Sequence, residues 1–211
     1  MKTNFLLLFG LIFVALVLAV YFYPLLPEQI ASHWNGVGEV NGWMPKLEFH
    51  FFVFGLLIFS VFLFLVIPKI DPLKKNLQEF IDYYWGFVYI LVGFIVYTYL
   101  LTVAANLGFK FNTTQVLMPA LAVLFFYLGV VMEKAKRNWF IGIRTPWTLS
   151  SDRVWNETHK IGAKLFKVIA IIFLLLTAFP SYAFTILITV ILITVFSLIA
   201  YSYWLYYKLE K

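Results

Sequence analysis

The amino-acid sequence predicts an all-α, polytopic integral membrane protein with six transmembrane helices and both termini in the cytoplasm. Three observations support this fold class: the composition, the length of the apolar segments and the distribution of basic residues. Of the 211 residues, 63% are hydrophobic and 12% are charged, whereas soluble domains carry roughly 25% charged residues. Too few polar side chains are present to cover a water-soluble globule, so we expect one membrane domain over residues 1–211, in three parts: 1–67, 68–132 and 133–211.

Six apolar segments are long enough to be membrane spans, because a helix crosses a hydrocarbon core of roughly 30 Å in about 20 residues. They cover residues 5–23, 49–67, 83–105, 115–132, 165–179 and 182–207. The last two segments belong to an uncharged stretch, 168–207, which as one helix would be about 60 Å long and too long for a bilayer. We therefore expect the chain to turn back at Pro180 and Ser181, with Lys164 and Lys167 extending their ammonium groups to the interface.

The basic residues predict the orientation of these spans, because lysine and arginine accumulate in cytoplasmic loops. With six spans, Lys46 and Lys110 lie on one side, and the other basic residues, from Lys2 to Lys211, lie on the side of both termini. We therefore predict a protein of the cell membrane with both termini in the cytoplasm. The net charge of +6 is explained by this topology and by attraction to anionic membrane lipids, and it requires no direct nucleic-acid partner.

The residue types argue against several kinds of chemistry. The sequence has no cysteine, which excludes disulfides, thiolate metal sites and cysteine nucleophiles. The six predicted spans hold no ionisable side chain beyond their ends, which argues against a proton-coupled pump. No motif for nucleophilic catalysis, phosphate cradling or paired acids is present. We therefore predict a protein that is not an enzyme and has no cofactor and no metal.

The extracytoplasmic loop, residues 24–48, is too patterned to be a simple connection. Asn35-Gly36 and Asn41-Gly42 are dipeptides that favour left-handed turn geometry, so we expect a compact, turn-rich cap. Trp34 and Trp43 are expected to seat this cap on the membrane interface. The expected polar face consists of Glu28, His33, Glu39 and Lys46.

His33 in this loop has several interpretations. As a metal ligand it would need companions, and Glu28, Glu39 and His50 do not have the spacing of a recognisable zinc site. Alternatively, the imidazole hydrogen-bonds to the backbone of the loop or contacts a ligand.

The cytoplasmic loop, residues 138–162, is predicted to end in an interfacial helix that bends into the fifth span. Ser150 or Ser151 can cap this helix, and Asp152 suits the positive end of its dipole. The spacing places one apolar face on Val154, Trp155, Thr158, Ile161, Gly162, Leu165 and Phe166. The opposite face holds Arg153, Asn156, Glu157, His159, Lys160, Lys164 and Lys167.

A tight segment precedes this helix and contains Gly142, Arg144, Thr145 and Pro146. The guanidinium of Arg144 offers five donors in a fixed fork. It can clamp backbone carbonyls and tie the loop to the helix bundle, or it can bind a phosphate. Both interpretations of Arg144 stay open at the sequence level.

Both loops carry residues that match a known family. The first loop follows a pattern of Leu-Pro, Pro-x-His, Gly, Asp-Gly-Trp and Lys, with Ala31 where proline is usual and Asn41 where an acid is usual. The matching residues are Leu26, Pro27, His33, Trp34, Asn35, Gly38, Gly42, Trp43 and Lys46. The second set is Asn138, Gly142, Ile143, Arg144, Thr145, Pro146, Trp147, Thr148, Leu149, Trp155 and His159. With these signatures and six spans, the chain resembles the SdpI family of bacterial and archaeal membrane proteins, including the family's amino-terminal domain of unknown function.

The resemblance implies immunity to, or sensing of, a secreted membrane-active peptide toxin, by binding rather than by catalysis. The implied partners are the peptide toxin and a cytoplasmic regulator protein that receives a signal. On this interpretation, the residues of the first signature from Pro27 to Lys46 form the toxin-recognition site. In the second signature, Asn138, Gly142, Arg144, Thr145, Pro146, Trp147, Trp155 and His159 stabilise the bundle or report occupancy to the cytoplasm.

Two other functions stay open. Each half of the chain has three predicted spans and a long loop between its first and second span, as in the inverted repeats of transporters. If the chain is a small transporter or lipid-handling protein, we expect a polar cavity at the bilayer midplane. A membrane hydrolase using His33 would show a deep outward cleft or a metal beside that residue.

Overall fold

The computed structural model describes residues 5–210, and most of them are helical. The elements are, in chain order, α1 (Phe5–Phe22), a 3₁₀ turn (Tyr23–Leu25), β1 (Gln29–Trp34), β2 (Val40–Pro45), α2 (Lys46–Ile70), α3 (Lys74–Glu79), α4 (Ile81–Asn106), α5 (Thr113–Lys134), α6 (Pro146–Ser150), α7 (Asp152–Leu176) and α8 (Pro180–Glu210). The predicted helical membrane fold is confirmed at this level. The two strands are an addition that the sequence analysis did not predict.

Within residues 5–210, five helices are long and apolar enough to cross a membrane: α1 with its 3₁₀ turn, α2, α4, α5 and α8. They correspond to the first, second, third, fourth and sixth predicted spans. The fifth predicted span, residues 165–179, falls largely within α7, whose middle carries Lys160, Lys164 and Lys167. Six spans and the cytoplasmic location of the termini therefore stay predictions, and Lys2 and Lys211 lie outside the described residues.

Helix α7 nevertheless extends along α5 in the opposite direction. At its start, Trp155 Nε1 donates to the carbonyl of Ala135, directly after α5, at 2.9 Å. Beyond its end, the side chain of Phe184 in α8 lies so close to Gly36 that a Cβ there would be 2.9 Å from Phe184 Cβ. Because Asn112 at the start of α5 donates to the carbonyl of Val37 at 3.0 Å, α5 and α7 connect the same two ends of the molecule.

Two local expectations for this region are wrong. The predicted interfacial helix does not bend into a separate span, because α7 is one helix from Asp152 to Leu176. Pro180 does not form the turn but is the first residue of α8. Proline suits this position because its fixed φ is helical and its missing N–H would have had no partner in the first turn. Residues 177–179 make the turn, with amides donating three residues back.

The core centres on α4, which packs against α1, α2 and α5. Tyr84, Val88 and Val92 are fully buried along it, and Tyr84 Oη donates to the carbonyl of Phe64 in α2 at 2.7 Å. A second apolar cluster joins α5, α7 and α8, where Phe173 is also fully buried. Large exposed apolar side chains cover the outside of the helices, as expected of lipid-facing surfaces.

Candidate functional site

The first signature, residues 26–46, folds as an antiparallel β-hairpin. Pairing extends from Gln29 opposite Pro45 to Trp34 opposite Val40, with irregularities on both sides of His33. The chain turns at residues 35–38, as the Asn35-Gly36 dipeptide indicated, but the left-handed glycine is Gly38, with φ +89°, and neither Gly36 nor Gly42 has positive φ. The Asn41-Gly42 dipeptide lies in β2 instead.

Asn35 organises the turn between the two strands. Its Oδ1 accepts from the amide of Val37 at 3.1 Å and from the amide of Glu39 at 2.9 Å, and its own amide donates to the carbonyl of Glu39 at 2.8 Å. The amide of Gly38 donates to the carbonyl of Asn35 at 3.0 Å. Side-chain oxygens that accept from nearby amides in this way stabilise tight turns.

Two asparagines outside the signature fix the hairpin to the helices. Asn106, at the end of α4, accepts from the amide of Ala31 at 2.8 Å and donates to its carbonyl at 3.0 Å. Asn112 holds the tip through Val37 and also caps α5, accepting from the amide of Gln115 at 2.9 Å. Sequence analysis missed both residues, although an asparagine directly before a helix is a recognised capping signal for Asn112.

Lys46 was expected on the exposed polar face, and this placement is wrong because the residue is 6% exposed. Its Nζ donates to the carbonyl of Leu26 at 3.2 Å and to Glu28 Oε1 at 2.9 Å, and it lies 4.7 Å from the centroid of the Tyr23 ring. A buried cation needs such partners to offset its loss of hydration. Lys46 therefore ties the base of the hairpin to the preceding turn, beside the exposed Pro27.

His33 is exposed at the side of the hairpin, and its Nδ1 lies 2.5 Å from Oδ1 of Asn41. The partner is thus a side-chain amide, not the backbone. Gly42 lies opposite His33, and a Cβ there would be 2.9 Å from His33 Cβ, so glycine allows this close pairing. Trp43 is 61% exposed, as a residue at the membrane interface would be.

A groove of about 570 Å³ lies beneath the hairpin, between α2, α4 and α5. His33, Trp34, Ser32 and Met44 form its lip. Its walls are mainly apolar and aromatic, formed by Phe49, Phe52, Val53, Leu56, Phe94, Ile95, Thr98, Tyr99, Leu101, Thr102, Thr113 and Leu117. Such a lining favours a hydrophobic segment over a polar solute.

At the opposite end of α5, Asn138 organises the start of the second signature. The residue is fully buried. Its Oδ1 accepts from the amides of Phe140 at 2.9 Å and Ile141 at 2.6 Å, and its Nδ2 donates to the carbonyls of Lys136 and Ile141, both at 2.9 Å. The side chain therefore replaces the backbone partners that this irregular segment lacks.

His159 was expected on the polar face of its helix, but it is 2% exposed. Its Nε2 accepts from the amide of Ile143 at 3.0 Å, its Nδ1 bonds to the carbonyl of Trp155 at 2.9 Å, and its ring stacks on Trp155 with centroids 3.9 Å apart. Burial lowers the pKa of His159 from 6.5 to about 4. The ring is therefore neutral at pH 7, which leaves Nε2 free to accept the Ile143 amide.

Gly142 makes this contact possible. Its φ is +114°, and a Cβ at this position would collide with Nε2 of His159. Only glycine combines this backbone conformation with the required space.

Thr145 begins the short helix α6 and connects it to α8. Thr145 and Thr148 form a capping box around α6, with Pro146 at the first helical position. The hydroxyl of Thr145 lies 3.1 Å from that of Ser202 in α8, and the ring of Trp147 meets Tyr203 edge-on at 5.0 Å. The second signature thus joins the ends of α5, α7 and α8.

Arg144 is exposed, and its Nη1 donates to the carbonyl of Trp139 at 2.6 Å. It therefore clamps its own loop, not the helix bundle. Two charged residues that sequence analysis did not select support this loop further. Asp71 accepts from the amide of Trp139 at 3.1 Å, and Arg137 Nη1 donates to the carbonyl of Leu149 at 2.8 Å. Asp71 is 2% exposed, and its position directly after an apolar span was the available signal.

The structure does not bring the two signatures together. They lie at opposite ends of α5, a helix of 22 residues that is about 33 Å long. Within residues 5–210, no group of three or more histidine and acidic side chains is close enough to hold a metal ion. The arrangement provides a hydrophobic groove at the hairpin end of α5 and a hydrogen-bonded loop at the opposite end.

Sequence comparisons match both regions. Residues 134–203 match the SdpI/YfhL protein family, and residues 10–59 match a domain of unknown function, DUF1648. The chain is 27% identical over 196 residues to the immunity protein SdpI of Bacillus subtilis (strain 168), an alignment covering 91% of this chain and 90% of that protein. No solved structure matches.

Proposed function

We propose that this chain, a member of the SdpI/YfhL family, gives immunity to a secreted membrane-active peptide by binding it at the extracytoplasmic face, without a chemical reaction. The observation that carries this proposal is the groove of about 570 Å³ beneath the hairpin. A peptide that inserts into membranes must present an apolar segment at the outer boundary of the bilayer. The groove offers such a segment an alternative apolar surface at that boundary.

The lining of the groove supports binding of this chemical class. Phe52 and Leu56 are 62% and 41% exposed, so the groove is open to the surrounding phase along α2. His33 and Ser32 at the lip supply polar groups for the backbone of a bound peptide. Burying one large apolar side chain of the peptide would contribute about 1.5–3 kcal/mol, so a few anchors suffice for useful affinity.

The signature residues of the hairpin divide into two roles in this proposal. His33 and Trp34 contact the peptide directly. Asn35, Gly38 and Gly42 shape the hairpin, whereas Pro27 and Lys46 fix its base and Trp43 seats it at the interface. The hairpin then acts as a fixed edge of the groove, because the side chains of Asn106 and Asn112 bond to the backbone of Ala31 and Val37.

Six spans with cytoplasmic termini complete the proposal. The antiparallel course of α7 along α5 supports a sixth crossing, because α7 begins at the end of α5 and leads back towards the hairpin. The cytoplasmic signature then keeps α5, α7 and α8 in fixed register, and it is the surface from which a cytoplasmic regulator would sense occupancy of the groove.

Complementation tests this proposal. A Bacillus subtilis strain lacking its own SdpI would express this chain and grow beside its peptide-secreting parent. We expect survival with the wild-type chain and loss of survival with Leu56→Trp, which fills the groove. Ile58→Trp is the matched control, because Ile58 lies on the same helix, 64% exposed, and does not line the groove.

Membrane insertion of the wild-type chain and both variants is confirmed first, because a protein that does not insert would fail to protect for another reason. No survival with the wild-type chain would contradict immunity to this peptide. Equal survival with Leu56→Trp and Ile58→Trp would contradict binding in the groove.

A further inference from the structure

A second groove, of about 560 Å³, lies at the other end of the molecule, between the end of α5 and α7. Its rim is rich in lysine: Lys136, Lys160, Lys164 and Lys167, against Glu133 and Glu157. Glu133 is already neutralised within the protein, because its Oε2 lies 2.5 Å from Lys167 Nζ and its Oε1 lies 3.6 Å from Lys134 Nζ. The remaining rim therefore has excess positive charge.

Lys160 and Lys164 are the available cations of this rim. Both are exposed, and within residues 5–210 neither has an acidic partner within 4.0 Å. Four residues apart on one helix, they project from the same face. Two adjacent ammonium groups without an internal counter-ion form a binding site for an anion such as a phosphodiester.

The same face of α7 becomes apolar immediately beyond the lysines. Lys160, Lys164, Lys167, Ile171 and Leu174 follow at spacings of four, three, four and three, so they form one continuous stripe. Ile171 and Leu174 line a separate trough of about 330 Å³ between α4, α5 and α7, whose other lining residues are also apolar or aromatic. Lys164 and Ile171 are seven residues apart, about 10 Å along the helix axis.

We propose that this stripe binds an anionic phospholipid, with the headgroup phosphate between Lys160 and Lys164 and one acyl chain in the trough. A site with positive charge at one end and an apolar trough about 10 Å further along matches the headgroup and chain of one lipid molecule. The inference rests on the proposed crossing of α7, which puts the lysines at the cytoplasmic surface. It does not depend on the immunity function, so the two can fail independently.

Native mass spectrometry of the detergent-purified chain tests the proposal with three probes: phosphatidylglycerol, phosphatidylcholine with the same acyl chains, and inorganic phosphate. We expect phosphatidylglycerol to bind at least tenfold more tightly than phosphatidylcholine. The Lys160→Gln/Lys164→Gln pair should weaken phosphatidylglycerol binding about thirtyfold. The control pair Lys74→Gln/Lys75→Gln, in α3, removes the same charge from exposed cytoplasmic positions outside the groove and should leave binding unchanged.

The trough is tested separately from the charge. Ile171→Trp and Leu174→Trp fill it without removing a lysine, and both positions are more than half exposed, at 56% and 53%, so the fold tolerates them. Each should weaken lipid binding about tenfold, whereas Leu175→Trp, 64% exposed and outside the trough, should not.

Three results would overturn the proposal. Equal losses in the two lysine pairs would mean general surface attraction. Wild-type affinity in Lys160→Gln/Lys164→Gln would remove the headgroup site. Full competition by inorganic phosphate, with no effect of the trough variants, would assign the lysines to a free phosphate instead of a lipid.

Discussion

At the residue scale, His159 determines how the stability of the second signature depends on pH. Its pKa is about 4 in the folded protein because the ring is buried, whereas an exposed histidine has a pKa near 6.5. Between these values the unfolded chain binds the proton and the folded protein does not. The free energy of unfolding therefore has its full value above about pH 6.5. As the pH falls towards 4, protonation of this group in the unfolded chain lowers it by about 3 kcal/mol.

We expect His159→Gln to flatten this pH dependence, because the substituted side chain does not titrate. Thermal unfolding in detergent at pH 7, 6 and 5 measures it, with His33→Gln, an exposed histidine, as the control. The wild-type and His33→Gln proteins should lose stability in parallel as the pH falls. An equal loss in His159→Gln would show that another group is responsible.

His159 also shows where residue-level prediction ends. The prediction placed His159 opposite Trp155, whereas the two residues are four apart on one helix and their rings stack with centroids 3.9 Å apart. The pattern contains no information about the loop of residues 138–145, which folds over this side of α7 and brings the amide of Ile143 to the imidazole. Burial of Lys46 was missed for the same reason, since its partners Leu26 and Glu28 precede it by about 20 residues.

At the scale of elements, Asn106 hydrogen-bonds the hairpin to the end of α4. Asn106 exchanges two hydrogen bonds with the backbone of Ala31. Asn106→Asp keeps the shape but replaces the donor by an acceptor, which would face the carbonyl of Ala31. We expect amide exchange in β1 to become about tenfold faster, equivalent to roughly 1.4 kcal/mol.

Hydrogen-exchange mass spectrometry of residues 29–45 measures this change. Asn41→Asp is the control, because Asn41 is exposed and bonds to His33 within the hairpin. Unchanged exchange of β1 in Asn106→Asp would mean that apolar packing, not this asparagine, holds the hairpin in place.

Helices and strands were not equally predictable. The predicted spans of α1, α2, α4 and α5 end within three residues of the observed helices, because an apolar run of membrane length leaves little freedom. The strands QIASHW and VNGWMP lack a clean alternation of polar and apolar residues, and irregular pairing beside His33 breaks the period of two. Of the two Asn-Gly dipeptides, Asn35-Gly36 lies in the turn between the strands, whereas Asn41-Gly42 lies in β2.

At the scale of the whole molecule, the number of spans decides which side of the membrane each loop occupies. The chain has no native cysteine, so single cysteines can be introduced as unambiguous labels. With six spans, Val37→Cys, Phe109→Cys and Phe179→Cys should react with an impermeant maleimide in intact cells. Lys75→Cys and Ser150→Cys should react only after the membrane is permeabilised.

Phe179→Cys separates six spans from five. This residue ends the turn between α7 and α8, and it lies outside only if α7 crosses the bilayer. Its protection in intact cells, together with labelling of Val37→Cys and Phe109→Cys, would contradict the sixth span and move the termini to opposite sides.

Photocrosslinking can detect an intact peptide in the groove beneath the hairpin, which the proposed function requires. A photoreactive phenylalanine derivative would replace Leu56 in the groove or Ile58 outside it, in cells exposed to the killing peptide. We predict a crosslink from position 56 and not from position 58, with an added mass equal to the whole peptide. Absence of a crosslink at 56, equal crosslinks at both positions, or an added mass of only a peptide fragment would contradict binding in this groove without reaction.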